Sequence, residues 1–432
     1  EVFPVIRGLI GDMIGPNAPM PIMDLRNGTE ELQFLKREDL DDLSKRGTAS
    51  PDHVIRIKSR PLILRKSVWS SGREAIKKVL NEYAIEYKAM FDRQAPLADQ
   101  PKKMLSPDPK NIWMEDIGLI GLGSNAKAAS IAGDLVVQNA RVRAVGENAG
   151  GFKPISEKDL FDCEYWSLEQ AKLGKGAAPK FQGKIVMITG GSGTIGFTIA
   201  KAFSKLGAQT ILIDKDETSL KKAVDSLGTG HGYLTLDVTS PDAAEQAMLG
   251  SIQKFGGLDI LISNAGAAHA GPMLSISEDD LRDAFELNFF SHYSFSTAAA
   301  KIFQNQNRGG QILFNISKQA VNPGKNFGAY GMPKATTFFL MKQLALELGA
   351  NGIRVNGVNA DRIRSGLLTD DFISSRAKSR GVSESDYMAG NLLNKEVTAE
   401  HVADAFTSLA CAESTTGHVM TVDGGNIEAS LR

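Results

Sequence analysis

Short apolar runs alternate with helix-spaced stretches through the second half of the chain. The first run, Ile-Val-Met-Ile-Thr at residues 185–189, is apolar on both sides and is closed by glycines. Further strand patterns fall at 210–214, 234–238, 259–263, 311–316, 354–359 and 419–422. Apolar positions at helical spacing occupy 195–205, 218–227, 241–254, 279–303, 329–348 and 398–410. Runs that are apolar on both faces suit parallel strands covered by helices on either side. The alternation predicts an α/β fold with a doubly wound parallel sheet. The first part of the chain is less regular. Residues 10–60 mix charged helix-like stretches with loops, and Ile117-Gly-Leu-Ile-Gly-Leu-Gly123 leads into a long helix pattern over 125–142. Gly, Pro and Lys without periodicity at 172–182 read as an exposed connector. The expected organisation is a first domain at 1–171, a linker at 172–182 and a second domain at 183–432.

Composition adds mainly exclusions. With 42% hydrophobic and 23% charged residues the chain matches a globular protein. A net charge of −1 favours neither nucleic acid nor an anionic membrane as partner, and no apolar run is long enough to span a bilayer. Two cysteines, Cys163 and Cys411, fit a reduced cytoplasm. The six histidines, at 53, 231, 269, 292, 401 and 418, show no ligand-like pairing, so no metal site is expected. Glu1 is not a methionine and residues 1–14 are patterned like a domain interior. The chain therefore reads as a fragment or processed product of something longer.

Candidate chemistry starts at the turn Thr189-Gly-Gly-Ser-Gly-Thr-Ile-Gly196. Gly190, Gly193 and Gly196, with Ser192, Thr194 and Ile195, lie between a strand and a helix. There the backbone can approach a pyrophosphate at a helix N-terminus. Asp214 ends the next strand pattern, where a carboxylate accepts from an adenosine ribose and repels a 2′-phosphate. Neither Ser192 nor Gly193 brings positive charge, so NAD is expected over NADP, although Lys215 adjoins. Asp214 as a simple helix cap is the alternative. Tyr330 and Lys334 stand one helical turn apart. A nearby ammonium stabilises a phenolate and so suits tyrosine to move protons near neutrality.

Two more features complete a pattern: Asn264-Ala265-Gly266 after an apolar run, and Ser317 thirteen positions before Tyr330. Together these motifs resemble the short-chain dehydrogenase/reductase family over roughly residues 180–432. The resemblance implies a Rossmann-type fold, with Tyr330 as general acid/base, Lys334 tuning it and bonding the nicotinamide ribose. Ser317 would orient the substrate oxygen, although counting from Asn315 by the family's Asn-x-x-Ser spacing reaches Lys318 instead. Asn288 would hold a water in a proton relay. Asp237 and Val238 would meet the adenine, Asn264, Ala265 and Gly266 would support cofactor and sheet, and Ile363 and Ser365 would hold the carboxamide. A turn aspartate at 237 and a buried polar residue at 288 remain the plainer readings. The glycine turn departs from the family pattern, with Thr194 at the middle glycine's place. In this family helices equivalent to 279–303 and 329–348 pair between subunits, which implies a homodimer or homotetramer.

Lys318, Lys325, Arg362 and Arg364 come from two loops that flank the pocket in such a fold, and Gln319, Asn322 and Asn326 add amides. They suggest a polar small-molecule substrate, sugar-derived and phosphorylated or acidic, with Lys318, Gln319, Arg362 and Arg364 as its contacts. Residues 366–395 are expected to form a mobile lid. Gly47-Thr-Ala-Ser-Pro-Asp-His-Val-Ile-Arg56, Ser156-Glu-Lys-Asp-Leu-Phe-Asp162 and Glu164-Tyr-Trp-Ser-Leu-Glu-Gln-Ala171 resemble fusions of a class II aldolase with a short-chain dehydrogenase. The first domain is then a smaller, degenerate aldolase-like α/β domain without its metal. Gly121-Leu-Gly-Ser-Asn-Ala126 also fits a nucleotide fingerprint, but Asp134 comes too soon to be its acidic partner. The leading expectation is an NAD-dependent alcohol/carbonyl oxidoreductase of the cytoplasm. A lyase with an auxiliary dehydrogenase, and an NAD-binding scaffold without turnover, are the alternatives.

Overall fold

In a computed structural model of the chain, residues 2–171, 177–366 and 368–426 are described. Part of the expected linker, residues 172–176, lies outside them. The chain forms two compact units, residues 1–183 with 252–256, and residues 184–251 with 257–432.

The first unit is built on four strands: β1 (Ile22–Arg26), β2 (Leu62–Leu64), β3 (Asn111–Met114) and β4 (Gly118–Gly123). Their order is β1-β4-β3-β2, antiparallel except for the parallel β2–β3 pair. The long helix Ala126–Asn148 lies on this sheet, opened by the Asn125 side chain, which accepts from the Ala128 N–H at 2.9 Å. Asparagine at this position satisfies an N–H that the first helical turn leaves without a partner. Phe34 meets Trp113 edge-on in the core at 4.9 Å between ring centroids. Gly121 and Gly123 let the helix settle onto β4, since a Cβ at either would collide with the helix backbone at Gly133 or Ala129. That close approach accounts for the glycine pattern at 121–123.

The second unit carries seven strands: β5 (Ile185–Thr189), β6 (Gln209–Asp214), β7 (Gly232–Thr235), β8 (Ile260–Ser263), β9 (Gly310–Ser317), β10 (Ile353–Ala360) and β11 (Val419–Val422). All pair in parallel, in the order β11-β10-β9-β8-β5-β6-β7. Every residue of β5 is buried, as a central strand covered on both faces requires. The order reverses between β5 and β8, and ligands bind at such switch points outside the carboxyl ends of the strands.

Two elements differ from the sequence expectation, the third strand and the helix over 279–303. The third strand of this unit ends at Thr235, not 238, because the Leu236 N–H makes a closing bond to Asp214 O at 2.8 Å and the chain then turns at Asp237. Asp237 then sits in a turn, where its carboxylate accepts from the Thr239 N–H at 3.0 Å and hydroxyl at 2.7 Å. The helix expected over 279–303 is divided into Glu278–Phe285, a π turn Glu286–Phe290 and Ser291–Gln306. The lid region contains two helices, Asp370–Arg380 and Glu384–Met388, each opened by a hydroxyl cap on Thr369 or Ser383. Among the described residues, no helix is long and apolar enough to cross a membrane.

Candidate active site

The glycine turn follows β5 directly. Gly190 has φ 63°, open to glycine at little cost. A Cβ on Gly196 would collide with Gly190 O, and one on Gly191 would lie 2.8 Å from Leu212 Cβ. Gly191 was not singled out from sequence, yet it lets the turn pass over β6. Gly193 differs, because a Cβ there meets nothing nearer than Gly190 O at 3.4 Å. Its outer side faces a cavity of about 700 Å³. Helix Thr194–Lys205 begins at this point without a side-chain cap, so its first N–H groups are left for a ligand.

Asn264 locks the turn to the sheet. Its N–H donates to Thr189 Oγ1 at 2.9 Å, its amide donates to Thr189 O at 2.9 Å, and its Oδ1 accepts from Asn315 Nδ2 at 2.9 Å. Its role is therefore to tie β5, β8 and β9 together beneath the cavity. Asp214, at the end of β6, also lines the cavity. Its Oδ2 accepts from the Ser192 hydroxyl at 2.7 Å and Oδ1 from the Lys215 N–H at 2.8 Å. Ser192 thus serves the carboxylate and is absent from the cavity wall. Asp237 and Val238 border the same end, and the Thr239 N–H and hydroxyl hold the Asp237 carboxyl below its usual range.

The chemical groups gather at the end of β9. Tyr330 and Lys334 sit on helix Gly328–Leu348 and line the cavity with Ser317. Burial raises the Tyr330 phenol above its ordinary value, and the neighbouring Ser317 hydroxyl works the other way. Lys334 Nζ stands 5.9 Å from the Tyr330 ring centroid and donates to Asn315 O at 3.2 Å. Burial lowers its amine to about 8, because removal from water disfavours the charged form. Asn288 lies in the π turn and is fully buried. Its amide donates to Ala267 O at 3.0 Å and Ala284 O at 3.1 Å, while Oδ1 has no protein partner. The Asn288 carbonyl is already taken by the Thr337 hydroxyl at 2.7 Å. A buried acceptor without a partner beside a cavity is a place for water.

Register separates Ser317 from Lys318. Ser317 pairs with Ala360 across β9 and β10, so the next residues, Lys318 and Asp361, meet at the strand ends and form an ion pair at 2.7 Å. Ser317 is left to face Tyr330. Asp361 also receives the Asn426 amide, and Arg362 Nε lies 3.6 Å from it. Arg362 stacks on Tyr387 at 4.7 Å. Ile363, Ser365 and Gln319 line the cavity. Arg364, expected among the substrate contacts, does not. It turns away to Glu396 and Asp370, each at 2.7 Å. Sequence reasoning missed Arg376 and Arg380, which reach the cavity from helix Asp370–Arg380. Their four-residue spacing in a helix pattern was the available signal. Arg376 lies over Phe327 and Phe372, and Arg380 over Tyr387. Among the described residues neither has a carboxylate partner.

A family model described as "Enoyl-(Acyl carrier protein) reductase" matches residues 191–426. The chain belongs to the short-chain dehydrogenase/reductase family. Residues 1–173 match "Aldolase class II, second domain", so this oxidoreductase-type unit is preceded by a class II aldolase domain. The chain is similar to "Uncharacterized oxidoreductase YuxG" of Bacillus subtilis, 28% identical over 98% of this chain. It spans 63% of that relative's length. Secoisolariciresinol dehydrogenase of Forsythia intermedia is 30% identical over 57% of this chain and 90% of its own. A short-chain type dehydrogenase/reductase from Mycobacterium marinum superposes with a TM-score of 0.51 at 26% identity, covering 56% of this chain and 94% of its own. Short-chain dehydrogenases bind a nicotinamide cofactor. The uncapped helix start, the open face of Gly193 and the Asp214 carboxylate suit the pyrophosphate and ribose of such a group. Among the described residues no three His, Cys, Asp or Glu side chains form a metal-binding group.

Proposed function

We propose that this protein is an NAD-dependent oxidoreductase that interconverts an alcohol and a carbonyl on an anionic, sugar-derived small molecule. The observation that carries the reading is that Ser317, Tyr330 and the buried Lys334 amine line one cavity, which Asp214 also lines. In the oxidation direction Tyr330 takes the hydroxyl proton from the substrate oxygen. Ser317 donates to that oxygen and holds it within reach. Lys334, charged below pH 8, favours the phenolate that receives the proton. The bound nicotinamide supplies the hydride acceptor. Residues of the glycine turn, Asp214, Asp237, Ile363, Ser365 and Lys334 would hold it. Asp214 disfavours a 2′-phosphate, which supports NAD over NADP.

Substrate class is read from charge. Lys318 and Arg362 are committed to Asp361, but Lys325, Arg376 and Arg380 reach the cavity with no carboxylate among the described residues to neutralise them. A phosphate or carboxylate suits the paired donors of two arginines. Cofactor reduction with NAD and with NADP tests the reading across polyols, sugar acids and phosphorylated sugars. NAD-linked turnover that disappears in Tyr330→Phe supports it. Arg376→Ala and Arg380→Ala should raise KM for anionic substrates about tenfold or more, as loss of a charged hydrogen bond does. Turnover retained in Tyr330→Phe removes the proposed base, and unchanged KM in both arginine variants removes the anionic class.

A further inference from the structure

His292 takes no part in the family machinery described above, yet it touches that machinery from behind. It lies one turn after Asn288, in helix Ser291–Gln306, and is fully buried. Its Nε2 stands 3.5 Å from Lys334 Nζ, at the long end of hydrogen-bond range. Its Nδ1 is 2.6 Å from Ser263 Oγ at the end of β8. Phe314 of β9 closes one side, with ring centroids 6.0 Å apart. Lys334 is the charged group facing the ring.

We propose that His292 is a positioning residue for Lys334: a neutral imidazole that accepts one N–H of the ammonium and hands its own proton to Ser263. The argument is a count of donors. An ammonium carries three N–H groups and no acceptor. One goes to Asn315 O, and a second meets His292 Nε2. Asn315 lies on β9 and His292 on helix Ser291–Gln306, which leaves the third N–H for the cavity that Lys334 lines with Tyr330. Without His292 that direction is lost, and the amine becomes harder to keep charged. Such a bond fixes the tautomer. Nε2 must be unprotonated to accept, which places the proton on Nδ1, toward Ser263 Oγ. Burial, and then the neighbouring Lys334 charge, hold the imidazole well below its ordinary value, while a backbone hydrogen bond at Ala265 works the other way.

The inference rests on the alcohol–carbonyl reading, but its first test needs no turnover. Nitrogen chemical shifts of labelled histidine in the whole protein, without cofactor, report protonation and tautomer. A neutral ring with its proton on Nδ1 between pH 6 and 9 is expected. A cationic ring, or a proton on Nε2, would overturn the proposal. His292→Leu removes the acceptor at similar bulk, and His292→Gln restores one. With the alcohol that gives NAD-linked turnover, His292→Leu should lower kcat about tenfold, the scale of a charged hydrogen bond. The limb of the pH profile set by Lys334 should move to lower pH, and His292→Gln should recover most of both. Equal loss in the two variants with an unmoved profile would reduce His292 to packing. If His292→Leu does not fold, Ser263→Ala should move the same limb, and no movement there counts against the chain of bonds.

Discussion

Lys334→Met isolates the energetic consequence of burying the site's ammonium. Lys334 is 2% exposed, and burial lowers its amine from 10.5 to about 8. Below pH 8 the folded and unfolded chains both carry the proton, so folding bears the whole cost of burying the charge. Above 10.5 neither carries it. Between these values the unfolded chain binds the extra proton, and stability rises with pH. The difference between 10.5 and about 8 corresponds to roughly 3 kcal/mol. Methionine has similar length and no charge. It leaves Asn315 O and His292 Nε2 without a donor, at about 1–3 kcal/mol, but that loss does not vary over this pH range. The stability gap between wild type and variant should therefore shift toward wild type by roughly 3 kcal/mol from pH 7 to 10.5. Trp69, Trp113 and Trp166 all fall in the first unit, so tryptophan fluorescence reports on that unit and not on the one that holds Lys334. Pulse proteolysis along a urea series, with second-unit peptides counted by mass spectrometry, reads the relevant one. A gap that stays flat with pH refutes the buried charge. Turnover should fall about 10²–10⁴-fold in the variant at any pH, as when a proton-transfer group is disabled.

Gly266→Ala places a Cβ 2.9 Å from Asn288 Oδ1 and 3.4 Å from Lys334 Nζ. It should cut kcat about tenfold or more by displacing that amine and any water there, and an unchanged kcat would mean the two groups do not share the space. Asp214→Ala should bring NADP turnover to within about tenfold of NAD. Retained NAD selectivity would show that the carboxylate only anchors Ser192 and Lys215. Met332 on one helix, with Phe339 and Leu346 further along it, is exposed, as are Phe290 and Tyr293 nearby in sequence to Asn288. A second copy, as the family resemblance implies, would cover these residues. Phe339→Asp should shift the sedimentation coefficient toward a single chain, and a monomeric wild type would dismiss the inference.

Much of this site could be read in the sequence because its chemistry depends on local spacing. Tyr330 and Lys334 are one helical turn apart, and the glycine turn must join a strand to a helix whatever surrounds it. What spacing cannot provide is the partner across the sheet. The Lys318–Asp361 pair follows from the β9–β10 register, and nothing local ties those two residues together. The same holds for Arg364, which sequence placed beside the substrate on the strength of its loop. Glu396 and Asp370 draw it away. His292 was visible only as a histidine without a ligand-like neighbour. Its contacts with Lys334 and Ser263 come from two other elements. The π turn at Asn288 was hidden for another reason: it is a single turn inside an otherwise continuous helical stretch.

The two glycine-rich turns show how one pattern serves two ends. Gly121-Leu-Gly-Ser-Asn-Ala126 and the turn after β5 both join a strand to a helix. In the first, added Cβ atoms on Gly121 and Gly123 would strike the helix backbone, so the absent side chains are filled by the protein itself. Asn125 then caps the helix start and satisfies the Ala128 N–H that a phosphate would otherwise meet. In the second, Gly190 and Gly196 close on each other in the same way, but Gly193 opens onto the cavity and no side chain caps the helix. The distinction between packing and binding thus lies in one uncrowded glycine and one missing cap. Replacing Gly193 leaves the fold room for a methyl group, so its effect belongs to the cofactor. The same change at Gly123 must part the helix from β4.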